Sequence, residues 1–103
     1  MEEEVPSHTR ASIEEYLIKG WWPSGFLEAV LTNDLFKSAH KADHWNRNHL
    51  GKIVMWFFNN APPEAYGSLE KIKNWHKDKD GVRTKFVDML EKRIIWDELN
   101  GKY

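Results

Sequence analysis

GFLEAVLTNDLFKSAHKADHWNRNHLGKIVMWFFNN, residues 25–60, decides the fold. Its apolar side chains recur at helical spacing, and no segment shows the strict alternation of a half-buried strand. Ser24 is placed to cap a helix over about 25–32, with Phe26, Leu27, Val30 and Leu31 as its buried stripe. Asn33 or Asp34 then either kinks that helix or caps a new one. The next helix is expected over about 34–45, with Leu35, Ala39 and Ala42 on one face, the alanines small enough for a close neighbour. Residues 46–49 are polar and loop-like, so a break is expected there. The segment of about 50–59 carries Ile53, Val54, Trp56, Phe57 and Phe58 almost all round, the pattern of a central, most buried helix.

Working outward toward the N-terminus, Ser12 and Glu15 form a capping-box pattern. It predicts a helix over about 13–19 with Ile13, Tyr16 and Leu17 on one face. Gly20 is suited to ending it in the left-handed conformation. Residues 1–11 read as a mobile acidic arm. Trp21-Trp22-Pro23 forms a rigid aromatic turn that is either a lid on the core or an exposed binding hot spot. Toward the C-terminus, Pro62-Pro63 and Gly67 make a turn. Ser68 caps a helix over about 69–77, packed through Leu69, Ile72 and Trp75. Asp78 to Gly81 breaks the chain or joins it to a last helix over about 82–99. That helix is expected to bury Phe86, Met89, Leu90, Ile94 and Trp96. The expected class is all-α: a compact bundle of five or six short helices around the 50–59 helix, forming one domain over 12–103.

The same stretch carries a resemblance. Gly25-Phe26-Leu27, Ala29-Val30-Leu31 and Asn33-Asp34-Leu35 are followed by Ala42-Asp43, Asn46, Leu50, Ile53-Val54, Pro62, Gly67-Ser68 and Trp75. This ordered pattern, across roughly residues 16–76, resembles that of a group of small tailed-bacteriophage proteins. Gly51 departs from it, since such proteins often have a proline near the start of that helix. The charged extension after His76 lies outside it. The resemblance brings no settled activity and no catalytic residues. It implies origin: a phage or prophage protein acting in the bacterial cytoplasm.

At 103 residues, one domain with an independent core is expected. The absence of cysteine excludes disulfide and thiolate chemistry and suits a reducing compartment. The longest apolar run, Ile53 to Phe58, is too short to span a bilayer. The acidic N-terminus, with no hydrophobic segment behind it, does not read as a signal peptide. Charge is uneven: residues 1–34 hold seven acidic and two basic side chains, net −5, and residues 35–103 nine and thirteen, net +4. Such asymmetry marks an anion-binding half or, more often, two faces of a solvated domain. Six tryptophans exceed what a small core needs, which points to an interface or pocket.

Of the constellations that carry chemistry, His40 and His44 have the i, i+4 spacing of a zinc pair. Lys41 stands where the general-base glutamate of a zincin would follow, so no metal site is assigned and the two remain weak candidates. Asp78 to Gly81 fails as a calcium loop. With Gly81 at the sixth position, His76 and Val87 occupy the first and twelfth, which need carboxylates. Lys71, Lys79 and Arg83 cluster near Trp75 and could hold an anion or nucleotide. Asp78 and Asp80 dilute that charge, and nucleic acid binding is disfavoured. Ser12, Ser24 and Ser68 read as caps and not as nucleophiles, and an acid–base pair such as Asp43 with His40 looks the same as a surface pair.

The expected function is therefore non-enzymatic and without cofactor: a phage accessory protein that binds a host factor and disables a defence component. Trp21 and Trp22 would supply the binding surface, with Asn33 and Asp34 as its polar rim. The alternatives are a module sequestering a signalling nucleotide and a small metal-dependent enzyme using His40 and His44. Short helices with this many aromatics also leave apolar surface for self-association.

Overall fold

A computed structural model describes the backbone of residues 5–99 and the side chains through residue 92. Among the described residues the fold is all-α, with no strand. Seven helices follow in order: α1 (Ser7–Leu17), α2 (Gly25–Leu31), α3 (Leu35–Lys41), α4 (His44–Asn48), α5 (Leu50–Asn60), α6 (Leu69–His76) and α7 (Val82–Leu99). Short 3-10 turns at Pro63–Ala65 and Lys79–Gly81 flank α6.

Several boundaries are set by local caps. Ser24, Asp34, Asp43 and Ser68 each accept a backbone N–H three residues on, opening α2, α3, α4 and α6. At the end of α1, Gly20 takes φ +73°. Its N–H donates to the Tyr16 carbonyl, and the next N–H, of Trp21, reaches back to Glu15, the double bond of a glycine C-cap. Asn33 (φ 67°) ends α2 in the same manner, with the Asp34 N–H donating to Ala29.

The first helix starts earlier than the sequence suggests. The Pro6 carbonyl accepts from Thr9 and Arg10, so Ser12 falls inside α1 and donates its hydroxyl to the His8 carbonyl instead of forming a capping box. Val5 and Thr9 are buried, so residues 5–11 are part of the domain and not a mobile arm. Residues 1–4 lie outside the described residues.

A second correction concerns residues 34–45, which are two helices. Ala42 and Asp43 turn extended (ψ 138° and −179°), and the Asp43 carboxylate captures the Asn46 N–H. The break therefore comes at 42–43, and Asn46, expected in a loop, is buried on α4 with its side-chain oxygen accepting from the Thr9 hydroxyl.

The core joins Ile13, Tyr16 and Leu17 of α1 to Leu27 and Leu31 of α2, Ile53 and Phe57 of α5, and Ile72 and Trp75 of α6. Phe86 of α7 packs on its edge, 5.7 Å from the Trp75 ring. The Gly67 N–H donates to the Leu31 carbonyl at 2.7 Å, tying the loop before α6 to the end of α2.

The shortest dimension of the molecule is 18 Å between Cα extremes, which leaves no room for a third layer of helices at about 8–10 Å per layer. α2 is nonetheless enclosed, with Leu27, Ala29 and Leu31 on different faces all buried, but α5 is not buried all round and is covered on one side only: Ile53 and Phe57 face the core while Val54, Met55 and Phe58 are exposed. Leu35, Leu69 and Met89, also expected inside, are exposed as well. The side chains of Ile94 and Trp96 lie outside the described residues.

Candidate functional site

The tryptophan turn emerges where the glycine cap of α1 redirects the chain. Pro23 is buried beneath it, and Ser24 starts α2 immediately after. Both indoles reach the surface: Trp21 is 55% exposed and Trp22 42%. Neither is loose. The Trp22 indole N–H donates to the Glu28 carboxylate at 2.9 Å, and its ring meets the His76 imidazole edge-on at 5.4 Å. The Lys19 ammonium lies 4.9 Å over the Trp21 ring, within cation–π range. Ile18 beside them is also exposed.

The turn is held from below by a clasp of α6 and α7. His76 Nδ1 lies 2.7 Å from the Gly20 carbonyl oxygen, so it carries the proton in this arrangement. Arg83 donates through Nε to the Trp75 carbonyl and through Nη2 to that of His76, filling acceptors left open at the end of α6. Its guanidinium lies flat against Gly20, where a Cβ would come within 2.3 Å of Cζ. Gly20 is thus fixed twice, by its positive φ and by this contact.

Asn33 and Asp34 do not form part of this arrangement. Trp22 bonds to the first turn of α2, whereas Asn33 follows its last. Asn33 instead lines a groove of about 210 Å³ with Val30, Val54, Phe57, Phe58 and Tyr66. Asp34 is committed to the Lys37 N–H as the cap of α3. Leu35 and Phe36, on the first turn of α3, are 67% and 88% exposed, and Phe58, which lines the groove, is 69% exposed. Phe36 and Phe58 were not among the sequence candidates. The sequence instead places Phe58 in the core, because its apolar surroundings on the 50–59 segment read as a helix buried all round.

Lys71, Trp75 and Lys79 do come together, lining a cleft of about 220 Å³. Glu64 and Asp80 line it as well, opposing the two lysines. Lys71 donates to the Pro63 carbonyl at 3.2 Å. The Trp75 ring is buried, and its N–H is taken by the Tyr16 carbonyl. Arg83 is spent on the α6 carbonyls and is not part of the lining.

His40 lies in the last turn of α3 and His44 opens α4, so the break at 42–43 removes the helical register that made them a pair. Among the described residues no three His, Cys, Asp or Glu side chains converge as a metal site would require. Asp43 pairs with His8, Nε2 to Oδ2 at 3.0 Å, and not with His40. The Asn46 N–H, and after it His8, hold the Asp43 carboxyl below the usual carboxylate range.

No protein-family model matches the chain, and neither a curated protein nor a solved structure gives a significant match. Many residues of the ordered pattern between positions 25 and 75 have structural work here. Asn33, Asp34, Asp43 and Ser68 end or start helices. Leu27, Leu31, Ile53 and Trp75 are core.

Proposed function

We propose that this chain is a non-enzymatic protein-binding module whose contact surface is the Trp21–Trp22 turn. The supporting observation is that two adjacent, substantially exposed indoles are already held in place, by Lys19 for one and by Glu28 and His76 for the other. Tryptophan supplies much of the energy at protein interfaces, and side chains ordered before contact lose less entropy on binding. The partner surface would be an apolar groove wide enough for two indoles, with polar groups to meet Lys19 and Glu28.

Taken with the resemblance, the reading extends to a tailed-phage accessory protein that acts in the bacterial cytoplasm and disables a host defence factor. No helix among the described residues is long and apolar enough to cross a membrane, which accords with that setting. Nucleotide sequestration has less support: the buried Trp75 ring leaves no face on which to stack a base, and the cleft's two lysines share it with two carboxylates. A metal-dependent enzyme has lost the helical pairing of His40 and His44 that suggested it.

The test is affinity capture of host proteins with the parent chain and with Trp21→Ala. A partner retained by the parent and lost by a variant with unchanged circular dichroism supports the module. Equal retention by both removes this surface from consideration.

A further inference from the structure

A pocket of about 170 Å³ lies where α1, α2, α3 and α4 meet, and each of the four helices or its cap contributes a polar group to it. Neither Trp21 nor Trp22 is part of its lining. Its most informative member is Asn46, whose side chain is buried although the residue lines the pocket, with only 6% of its surface exposed. The side-chain oxygen of Asn46 accepts from the Thr9 hydroxyl, and its backbone N–H donates to Asp43. Among the described residues nothing accepts from its Nδ2, yet none of their enclosed side-chain polar atoms lacks a partner. The amide nitrogen therefore opens on the pocket, as a donor that the protein itself leaves unanswered.

Two more donors stand on the walls. The Lys41 side chain lies along Gly25, where a Cβ would be 3.4 Å from Cδ and 3.7 Å from Nζ. Its ammonium is thus placed beside the start of α2, and no carboxylate among the described residues pairs with it. Ser24 accepts the Leu27 N–H, which leaves its own hydroxyl proton to donate. Asp43, the one carboxylate in the lining, is already met by His8 on one oxygen and by the Asn46 N–H on the other. Phe26 and Leu27 add apolar surface.

We propose that this pocket binds a carboxylate carried on a short carbon stem. One oxygen accepts from the Asn46 amide and the other from Lys41, with the Ser24 hydroxyl as a third donor and the stem against Phe26 and Leu27. The class follows from the donors and the size. A single ammonium and a planar amide suit one negative charge shared by two oxygens. The volume is well below the roughly 300 Å³ at which drug-sized sites begin, so what enters is small. A free short-chain acid and the tip of an acidic side chain on a bound peptide present the same group.

The test is nitrogen-15 NMR of the full chain, following the Asn46 side-chain amide during titration with acetate at constant ionic strength. A parallel titration uses the blocked peptide acetyl-Ala-Glu-Ala-amide. Acetate should shift the Asn46 amide saturably at millimolar concentrations. Lys41→Met should weaken binding by about tenfold or more, the scale of a hydrogen bond to a charged group. Lys37→Met, the same change one turn earlier on α3, should leave it unaltered. Ser12→Met keeps the charge and the helix but fills the pocket, and should abolish the shift. Saturation by acetate alone identifies a free acid as the ligand, and saturation by the peptide as well identifies an acidic side chain; either result supports the site. An Asn46 amide indifferent to both probes, or equal binding by Lys41→Met and the parent, would overturn the proposal. Tighter binding of inorganic phosphate than of acetate would overturn the assignment to carboxylates.

Discussion

The indole N–H of Trp75 donates to the backbone carbonyl of Tyr16 at 3.2 Å, across 59 positions of sequence. Tyr16 in turn donates its hydroxyl to the Ala65 carbonyl at 2.7 Å. These two bonds tie α1, α6 and the turn between α5 and α6 into one unit. Tyr16→Phe leaves the Ala65 carbonyl buried without its donor and should cost about 1–3 kcal/mol. Trp75→Ala should cost about 3–5 kcal/mol. Burial pushes the Tyr16 phenol above its ordinary value, with the Arg83 charge opposing in part. The unfolded chain therefore loses this proton first, and stability should fall as pH rises past about 10. Chemical denaturation at neutral and alkaline pH checks both statements, and a Tyr16→Phe variant with the same alkaline slope would count against the second.

Gly20 should accept a side chain only at a cost. An alanine there must hold a left-handed backbone and push aside the Arg83 guanidinium, so Gly20→Ala should destabilise by about 1–2 kcal/mol or more. In combination with Arg83→Ala the cost should be less than additive, because the displaced group is already gone. Strict additivity in a double-mutant cycle would show that the contact carries no energy.

Neighbouring phenylalanines of α5 should behave oppositely. Phe57 is buried between Trp56 and Tyr66, and Phe57→Ala should cost about 3–5 kcal/mol. Phe58 is exposed, and in the isolated chain Phe58→Ala should change stability by less than about 0.5 kcal/mol. Similar losses from both would mean that α5 is covered on both sides.

This contrast also marks what could be read from residues alone. Ser24, Ser68, Gly20 and the Asp78–Gly81 break were legible because caps and turns depend on chemistry within a few positions. The split at Asp43 was not, because the apolar spacing continues across it and no glycine or proline interrupts. There a carboxylate competes for a backbone N–H, and tertiary contacts from Thr9 and His8 favour it. Which side of α5 faces water was illegible for a different reason, since that depends on how many layers cover the helix. Of the tryptophans, Trp75 is buried, whereas Trp21, Trp22 and Trp45 are exposed. What the sequence could not give was the clasp of His76 and Arg83 beneath the turn, which joins residues more than fifty positions apart.

Asp43 should make the fold acid-sensitive at the junction of α3 and α4. Its folded-state carboxyl is held low by the Asn46 N–H and then by His8. Its contribution is thus present above the unfolded value of about 4 and is lost as pH falls through the depressed folded value. Asp43→Asn should flatten the acid limb of the stability profile. An unchanged acid limb would mean that the cap contributes nothing.

The most direct measurement on the tryptophan turn is the affinity of a captured partner for the parent chain, Trp21→Ala and Phe36→Glu, each shown to keep its secondary structure. Trp21 is the cleaner test of the two indoles, because Trp22 also holds Glu28 and His76 in place. Trp21→Ala should weaken the complex by about 30-fold or more, the scale of an interface hot spot, while Phe36→Glu leaves the intrinsic affinity per chain nearly unchanged. Affinities for Trp21→Ala within about twofold of the parent, well under the roughly 1.4 kcal/mol that a tenfold change represents, would contradict a protein-binding role for this surface.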